Sequence, residues 1–190
     1  MIEFRTLLGA GAAFAAASIV LTGLAINDAR SAGHEKACCD DANVKYSKDL
    51  WGALEKAGLA GKSAKADAPY KGQAPHGAVL ETITSEVSVG SQKGKVVVKR
   101  NYDGEGVSVD AVKADRAKYI KAVTVMFKRE DGYDKDNNNW FWVKYKPDGS
   151  LHTNPKGMML AGRVMKGADK GCIACHSAVK DKDYIFGKQN

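Results

Sequence analysis

The chain is poor in cysteine, histidine and proline, with four of each among 190 residues. Four cysteines are too few for the dense disulfide framework of a small secreted domain. The length instead allows one domain with one sizeable core. Nothing repeats internally. No block of like charge stands out either: charged residues make up 27% and are scattered, although the formal net charge is +7. Dispersed lysines without a recognised nucleic-acid motif exclude nucleic acid as a partner. A basic, solvated surface can still steer small anions or an acidic redox protein at low salt.

Long apolar runs are absent except at the start. Residues 7–26 (LLGAGAAFAAASIVLTGLAI) carry no charge, follow Arg5, and are succeeded by the small residues Ala29, Ser31 and Ala32. That order reads as a secretory signal peptide over 1–32, cleaved near Ser31 or Ala32. The run is also long enough to span a bilayer, so an uncleaved N-terminal membrane anchor stays open. No cysteine occupies a lipobox-like position. Either way the remainder is expected to be exported, in a periplasmic or equivalent compartment, and soluble. Glu3, Arg5, Asp28 and Arg30 cancel, so the excess positive charge belongs to the mature part.

Residues 33–75 read as a polar N-terminal helix and loop. Leu50, Trp51, Leu54, Ala57 and Leu59 recur near helical spacing, with Ser47 as a candidate N-cap. Gly61, Pro69, Gly72, Pro75 and Gly77 then punctuate a loop. Residues 76–190 form the main domain. Segments 78–89 and 95–101 are strand-like, with a turn over 90–94 between them. Val123, Val125 and Phe127 alternate with Thr124, Met126 and Lys128. After the Asp- and Asn-rich turn at 131–139, residues 140–146 (WFWVKYK) return as the partner strand. A last helical piece is expected to run through Met165 into residues 172–176. The fold class implied is α+β: an antiparallel sheet with one buried face and flanking helices.

The most specific feature is Cys172-Ile173-Ala174-Cys175-His176. Two cysteines separated by two residues bring both sulfurs to one edge of a porphyrin, and the histidine that follows falls under the iron. Cys-x-x-Cys-His therefore reads as attachment of one covalent haem c, with His176 as the proximal iron ligand. A structural zinc site wants four ligands as two spaced pairs, and the adjacent Cys38 and Cys39 are a poor second pair. A thioredoxin-like pair wants a βαβ context that residues 160–171 do not supply. One motif excludes a multihaem wire.

The other face of the iron decides the chemistry. Met126, Met158, Met159, Met165, His34, His76 and His152 are the candidates for a sixth ligand, and any of them would close the iron and make an electron carrier. The ordinary readings are a core methionine for Met126 and a turn residue for His76 in Pro75-His76-Gly77.

The sequence resembles the cytochrome P-460 and cytochrome c′-beta family. The likeness rests on residues 171–176 (GCIACH) followed by 183–186 (DYIF), on 94–102 (GKVVVKRNY), on 127–133 (FKREDGY), and on 139–142 (NWFW) leading to Asp148-Gly149. These stand in order over residues 76–186. The resemblance implies a largely antiparallel β fold, a homodimer, and a five-coordinate haem with an open distal pocket. P-460 members oxidise hydroxylamine and carry a lysine cross-linked to haem; c′-beta members lack the cross-link and bind nitric oxide or related gases. Lys99 aligns with the cross-linking lysine, and its plain alternative is a solvated strand lysine.

Catalysis would also need a distal carboxylate. Glu81, Glu86 and Glu130 are the nearby acids by sequence, and none aligns to that role. Val125, Met126, Phe127, Phe141, Trp142 and Tyr145 can instead make a tight hydrophobic pocket for small neutral nitrogen ligands, or simply the sheet core. The expectation is an exported mono-haem c-type cytochrome that binds or oxidises nitric oxide or hydroxylamine; the alternative is a six-coordinate electron-transfer cytochrome c. The vicinal Cys38-Cys39 pair has no assigned role.

Overall fold

The computed structural model describes residues 39–187. The reading of residues 1–32, His34 and Cys38 lies outside that range. Among the described residues, no helix is long and apolar enough to cross a membrane.

Helix α1 spans Asp41–Lys56. Its N-cap is Asp40, whose Oδ1 accepts from Asn43 N at 2.8 Å, and not Ser47. Ser47 sits well inside the helix, where its hydroxyl donates to Val44 O and its own carbonyl accepts from Tyr145 OH. A carboxylate at the first free N–H groups satisfies the helix start better than a serine deeper in. Ser47, Leu50, Trp51 and Leu54 form the buried stripe at helical spacing.

Six strands follow in a meander whose order equals chain order: β1 Tyr70–Lys71, β2 Val79–Val89, β3 Gln92–Tyr102, β4 Ile120–Lys128, β5 Trp140–Tyr145 and β6 Ala161–Gly162. Every pairing is antiparallel. The β2–β3 turn is shorter than residues 90–94, because Val89 pairs with Gln92 and only two residues remain in the loop. Between β3 and β4 the chain makes two short helices, α2 Val109–Ala114 and α3 Arg116–Tyr119. They close one end of the sheet over Val79, Tyr102, Val112 and Tyr119.

Alternation along the strands divides the sheet into two faces. Val96 and Val98, Val123, Val125 and Phe127, and Phe141, Val143 and Tyr145 pack with Leu50, Trp51 and Leu54 of α1. Residues 41–59 therefore belong to the same core as the sheet. The opposite residues, Val97, Met126, Trp140 and Trp142, meet Val164, Ile173 and Tyr184 of the C-terminal segment.

No helix runs through Met165. Met165 stands at φ +62, and Gly167 and Gly171 also have positive φ, so the chain turns repeatedly where a right-handed helix would need negative φ. Helix α4 is confined to Cys172–His176.

Candidate functional site

The second face of the sheet is the floor of a cavity of about 600 Å³, within the size range of cofactor pockets. In register across β3, β4 and β5 lie Val97, Met126 and Trp142, and one row along Lys99, Thr124 and Lys144. All six border the cavity. The opposite wall is α4 and the segment after it, with Cys172, Cys175, His176 and Phe186. The loop between β1 and β2 brings Pro75 and His76 to the same space.

His176 is buried, at 6% exposure, and is held on three sides. Its ring stands edge-on to Trp142 at 4.9 Å between centroids and to Phe186 at 5.1 Å. Its Nδ1 lies 2.6 Å from Tyr184 O. A carbonyl only accepts, so Nδ1 carries the proton and Nε2 keeps its lone pair. That tautomer is the one a metal-bound histidine needs. Burial, with the Lys99 charge nearby, lowers the imidazole pKa against the opposing pull of the carbonyl. A neutral imidazole at ordinary pH is the ligating form.

Cys172 and Cys175 are free thiols, whereas Cys39 is disulfide-bonded. Burial pushes the Cys172 thiol up to about 11, so it stays protonated. Among the described residues, no group of three or more His, Cys, Asp or Glu gathers around a metal-sized point. The two thiols and His176 thus lack the further ligands a zinc centre requires.

The cavity fits a haem. Its lining is mainly apolar, two reduced thiols stand one helical turn apart beside a histidine with a free Nε2, and Trp142 Nε1 is a buried donor without a partner. Lys99 and Lys144 add positive charge suited to the carboxylates of such a ring. Lys99 is half-buried and borders the cavity, and burial lowers its pKa against the pull of Cys175, which makes its lone pair more accessible than that of a fully exposed amine.

The three candidate acids fall elsewhere. Glu81 is on the α1 face, fully buried, accepting from Arg100 Nη1 at 2.9 Å, Tyr102 OH at 2.7 Å and Arg116 Nε at 2.7 Å. Glu86 is exposed and pairs with Lys93; Glu130 pairs with Arg129. The acid that does border the cavity is Asp169, on the exposed turn before α4. Phe127, Phe141 and Tyr145 also leave the site, since alternation turns them toward α1. Val125 borders the cavity but packs its side chain in that same core. Met126 and Trp142 remain as apolar lining.

Of the candidate sixth ligands, Met126 and His76 reach the cavity. Met158 and Met159 are exposed, His152 faces Lys121 O at the surface, and Met165 packs in the cluster behind α4. His76 is the residue whose sequence context hid it most, because Pro75-His76-Gly77 looks like an ordinary turn. Its ring centroid lies 6.0 Å from that of His176. Burial first, then the charges of Lys99, His176 and Lys144, push its pKa down to about 3.

No curated protein and no solved structure matches the chain. The sequence profile of the cytochrome P460 family, described as Cytochrome P460, matches residues 59–187. That span covers β1 to β6, the cavity and the Cys-x-x-Cys-His helix, and is well over half of the chain. The chain belongs to the cytochrome P460 family of haem cytochromes.

Proposed function

We propose that this is an exported mono-haem c protein that binds small uncharged nitrogen species, nitric oxide foremost, at its iron. Attachment would run through Cys172 and Cys175. Each thiol adds across one vinyl group of the porphyrin, sulfur to one carbon and hydrogen to the other, so no oxidant is consumed. His176 supplies the proximal Nε2. Bound there, haem would supply a redox-active iron able to take a small ligand.

The observation that carries this reading is the apolar sheet floor of the cavity. Val97, Met126 and Trp142 form it, and an apolar wall admits small neutral ligands more readily than hydrated anions. Export is supported by the apolar run at 7–26 and by the disulfide at Cys39, since disulfides persist outside reducing compartments. A homodimer and an acidic redox protein as electron partner complete the proposal, the latter in keeping with the net charge of +7.

One observation favours a second reading, oxidation of hydroxylamine: Lys99 stands half-buried at the cavity floor, where a bond to the haem edge would form. Against it, Glu81, Glu86 and Glu130 do not border the cavity and the acid that does, Asp169, stands on an exposed turn, whereas a proton acceptor must stand within hydrogen-bond reach of the substrate.

Intact mass and optical spectroscopy on the exported protein test both readings. The mass should equal the processed chain plus one haem, and nitric oxide should change the haem spectrum. A chain without covalent haem refutes the proposal. A tryptic peptide joining Lys99 to haem, with a ferrous band far to the red, would transfer the assignment to the oxidase.

A further inference from the structure

We propose that the protein carries a second binding site, for one small monocarboxylate, between Arg129 and Arg163 on the α1 side of the sheet. The site shares no lining residue with the haem cavity and does not depend on the haem reading.

Four separate stretches of chain build it. Arg129 follows β4, Tyr133 lies in the turn before β5, Arg163 follows β6, and Tyr46 stands on α1. All four border a cavity of about 390 Å³ that also meets the start of α1 at Asp40 and Asn43. The Tyr46 and Tyr133 rings pack against the core beneath. The Arg129 guanidinium carbon lies 3.8 Å from the Tyr46 ring centre and 4.7 Å from that of Tyr133. The Arg163 guanidinium lies 4.9 Å from the same Tyr133 ring. Gly162 brings Arg163 there: it adopts φ +107, and a Cβ on it would come 2.7 Å from the Asn43 side chain, so the backbone runs close against α1.

The charges there do not balance. Two guanidiniums gathered on one tyrosine ring repel each other unless anions offset both. Glu130 offsets Arg129, accepting from its Nε and Nη2 at 2.8 Å each. Among the described residues, no carboxylate forms an ion pair with Arg163, whose Nη2 donates to the uncharged Tyr133 O. Asp40 is engaged at the start of α1, where its Oδ1 accepts from Asn43 N at 2.8 Å. One positive charge is left over, and that selects a monoanion.

The hydrogen-bond donors point the same way. Arg163 Nε, Tyr46 OH and Tyr133 OH are each buried without a partner, and all three belong to residues of this one cavity. A buried donor left unpaired is costly, so three together call for an acceptor. Burial pushes the Tyr46 hydroxyl up to about 12 and the Tyr133 hydroxyl upward as well, so both keep protons to donate. A carboxylate offers two oxygens with several lone pairs, and a guanidinium edge pairs with such a group through parallel bonds. A halide offers a single point and no such match.

The test titrates sodium acetate, at constant ionic strength, into the purified protein with its nitrogens isotopically labelled. The Arg163 Nε–H resonance should shift and saturate, and the melting temperature should rise with acetate as mass action requires. Chloride at the same concentration should do neither. Arg163→Gln should weaken acetate binding about tenfold or more, through loss of the charge-assisted bonds. Should that variant accumulate poorly, Tyr133→Phe, which removes only a hydroxyl, must weaken binding about threefold or more. A shift that never saturates overturns the proposal, as do an equal response to chloride and undiminished binding in the variants. The haem spectrum should stay constant throughout. A spectral change that follows acetate equally in wild type and Arg163→Gln would put the anion at the iron and overturn the second site.

Discussion

Tyr184 holds His176 through its backbone while its own ring is locked in the core. The carbonyl accepts from His176 Nδ1 at 2.6 Å. The ring is 1% exposed, 6.2 Å from Trp142, and its hydroxyl donates to Asp136 O at 2.9 Å. The orientation of His176 is thus fixed from the turn before β5, far away in sequence. Tyr184→Phe should cost about 1 kcal/mol, the net worth of one hydrogen bond, and leave the carbonyl where it is. Denaturant unfolding should register the loss while the haem spectrum stays that of wild type. A changed spectrum at equal stability would refute the division of labour.

Asp183 clamps the same segment to the sheet. It accepts from Lys128 Nζ at 2.7 Å, Asn138 Nδ2 and Trp140 Nε1. Burial works against its ionised form, yet the hydrogen bonds and charge of Lys128, with those of Asn138 and Trp140, bring its pKa below the ordinary carboxyl value. A carboxyl whose folded pKa is depressed adds stability that is present above its unfolded pKa and lost as pH falls through the folded one. Asp183→Asn should therefore be less stable than wild type at neutral pH, by no more than about 1 kcal/mol because the group is partly solvated. Unfolding curves at neutral pH and at about pH 3 should show that gap closing in acid. A gap of constant size would show that packing, not ionisation, carries the effect.

Glu81 belongs to the fold and not to the site. One carboxylate joins Arg100, Arg116 and Tyr102 in the interior, and Arg100 also caps the carbonyls of Leu59 and Lys65. Removing one charge of a buried network leaves its partner uncompensated. Glu81→Gln should destabilise by about 3 kcal/mol or more, with ligand binding at the haem unchanged in whatever protein remains folded. A loss of ligand binding without a loss of stability would restore Glu81 as a distal acid.

The strands are legible because Val123, Val125 and Phe127 alternate with Thr124 and Met126, and the α1 stripe because Leu50, Trp51 and Leu54 recur at helical spacing. Alternation says which residues share a face, not which face receives a cofactor. Phe127, Phe141 and Tyr145 therefore look as suited to a pocket as Met126 and Trp142, although the register puts the two sets on opposite sides. Cys172, Cys175 and His176 can be read from spacing because their geometry is local. His76 cannot, because what distinguishes it is a ring across a cavity, carried by a segment far along the chain. Met165 misleads for a simpler reason: its apolar side chain suits a helix, but its positive φ belongs to a turn.

The two thiols of α4 make the final expectation. They lie three residues apart on one helical turn, with the Cys175 N–H bonded to Gly171 O at 3.1 Å, so the helix presents both sulfurs toward the cavity that His176 faces. Cys172 is the less exposed of the two, and its raised pKa keeps it a thiol, the form that adds across a vinyl group without a change of oxidation state. Each of Cys172→Ala and Cys175→Ala should retain haem through a single thioether, since His176 and the cavity wall still hold the ring. Cys172→Ala/Cys175→Ala should release it in denaturing solvent. Mass spectrometry under denaturing conditions, with reduced-state optical spectra alongside, separates the cases: the unsaturated vinyl left in each single variant should move the visible bands to the red. A double variant that still carries haem in denaturant would mean that Lys99, or another side chain, also bonds the porphyrin.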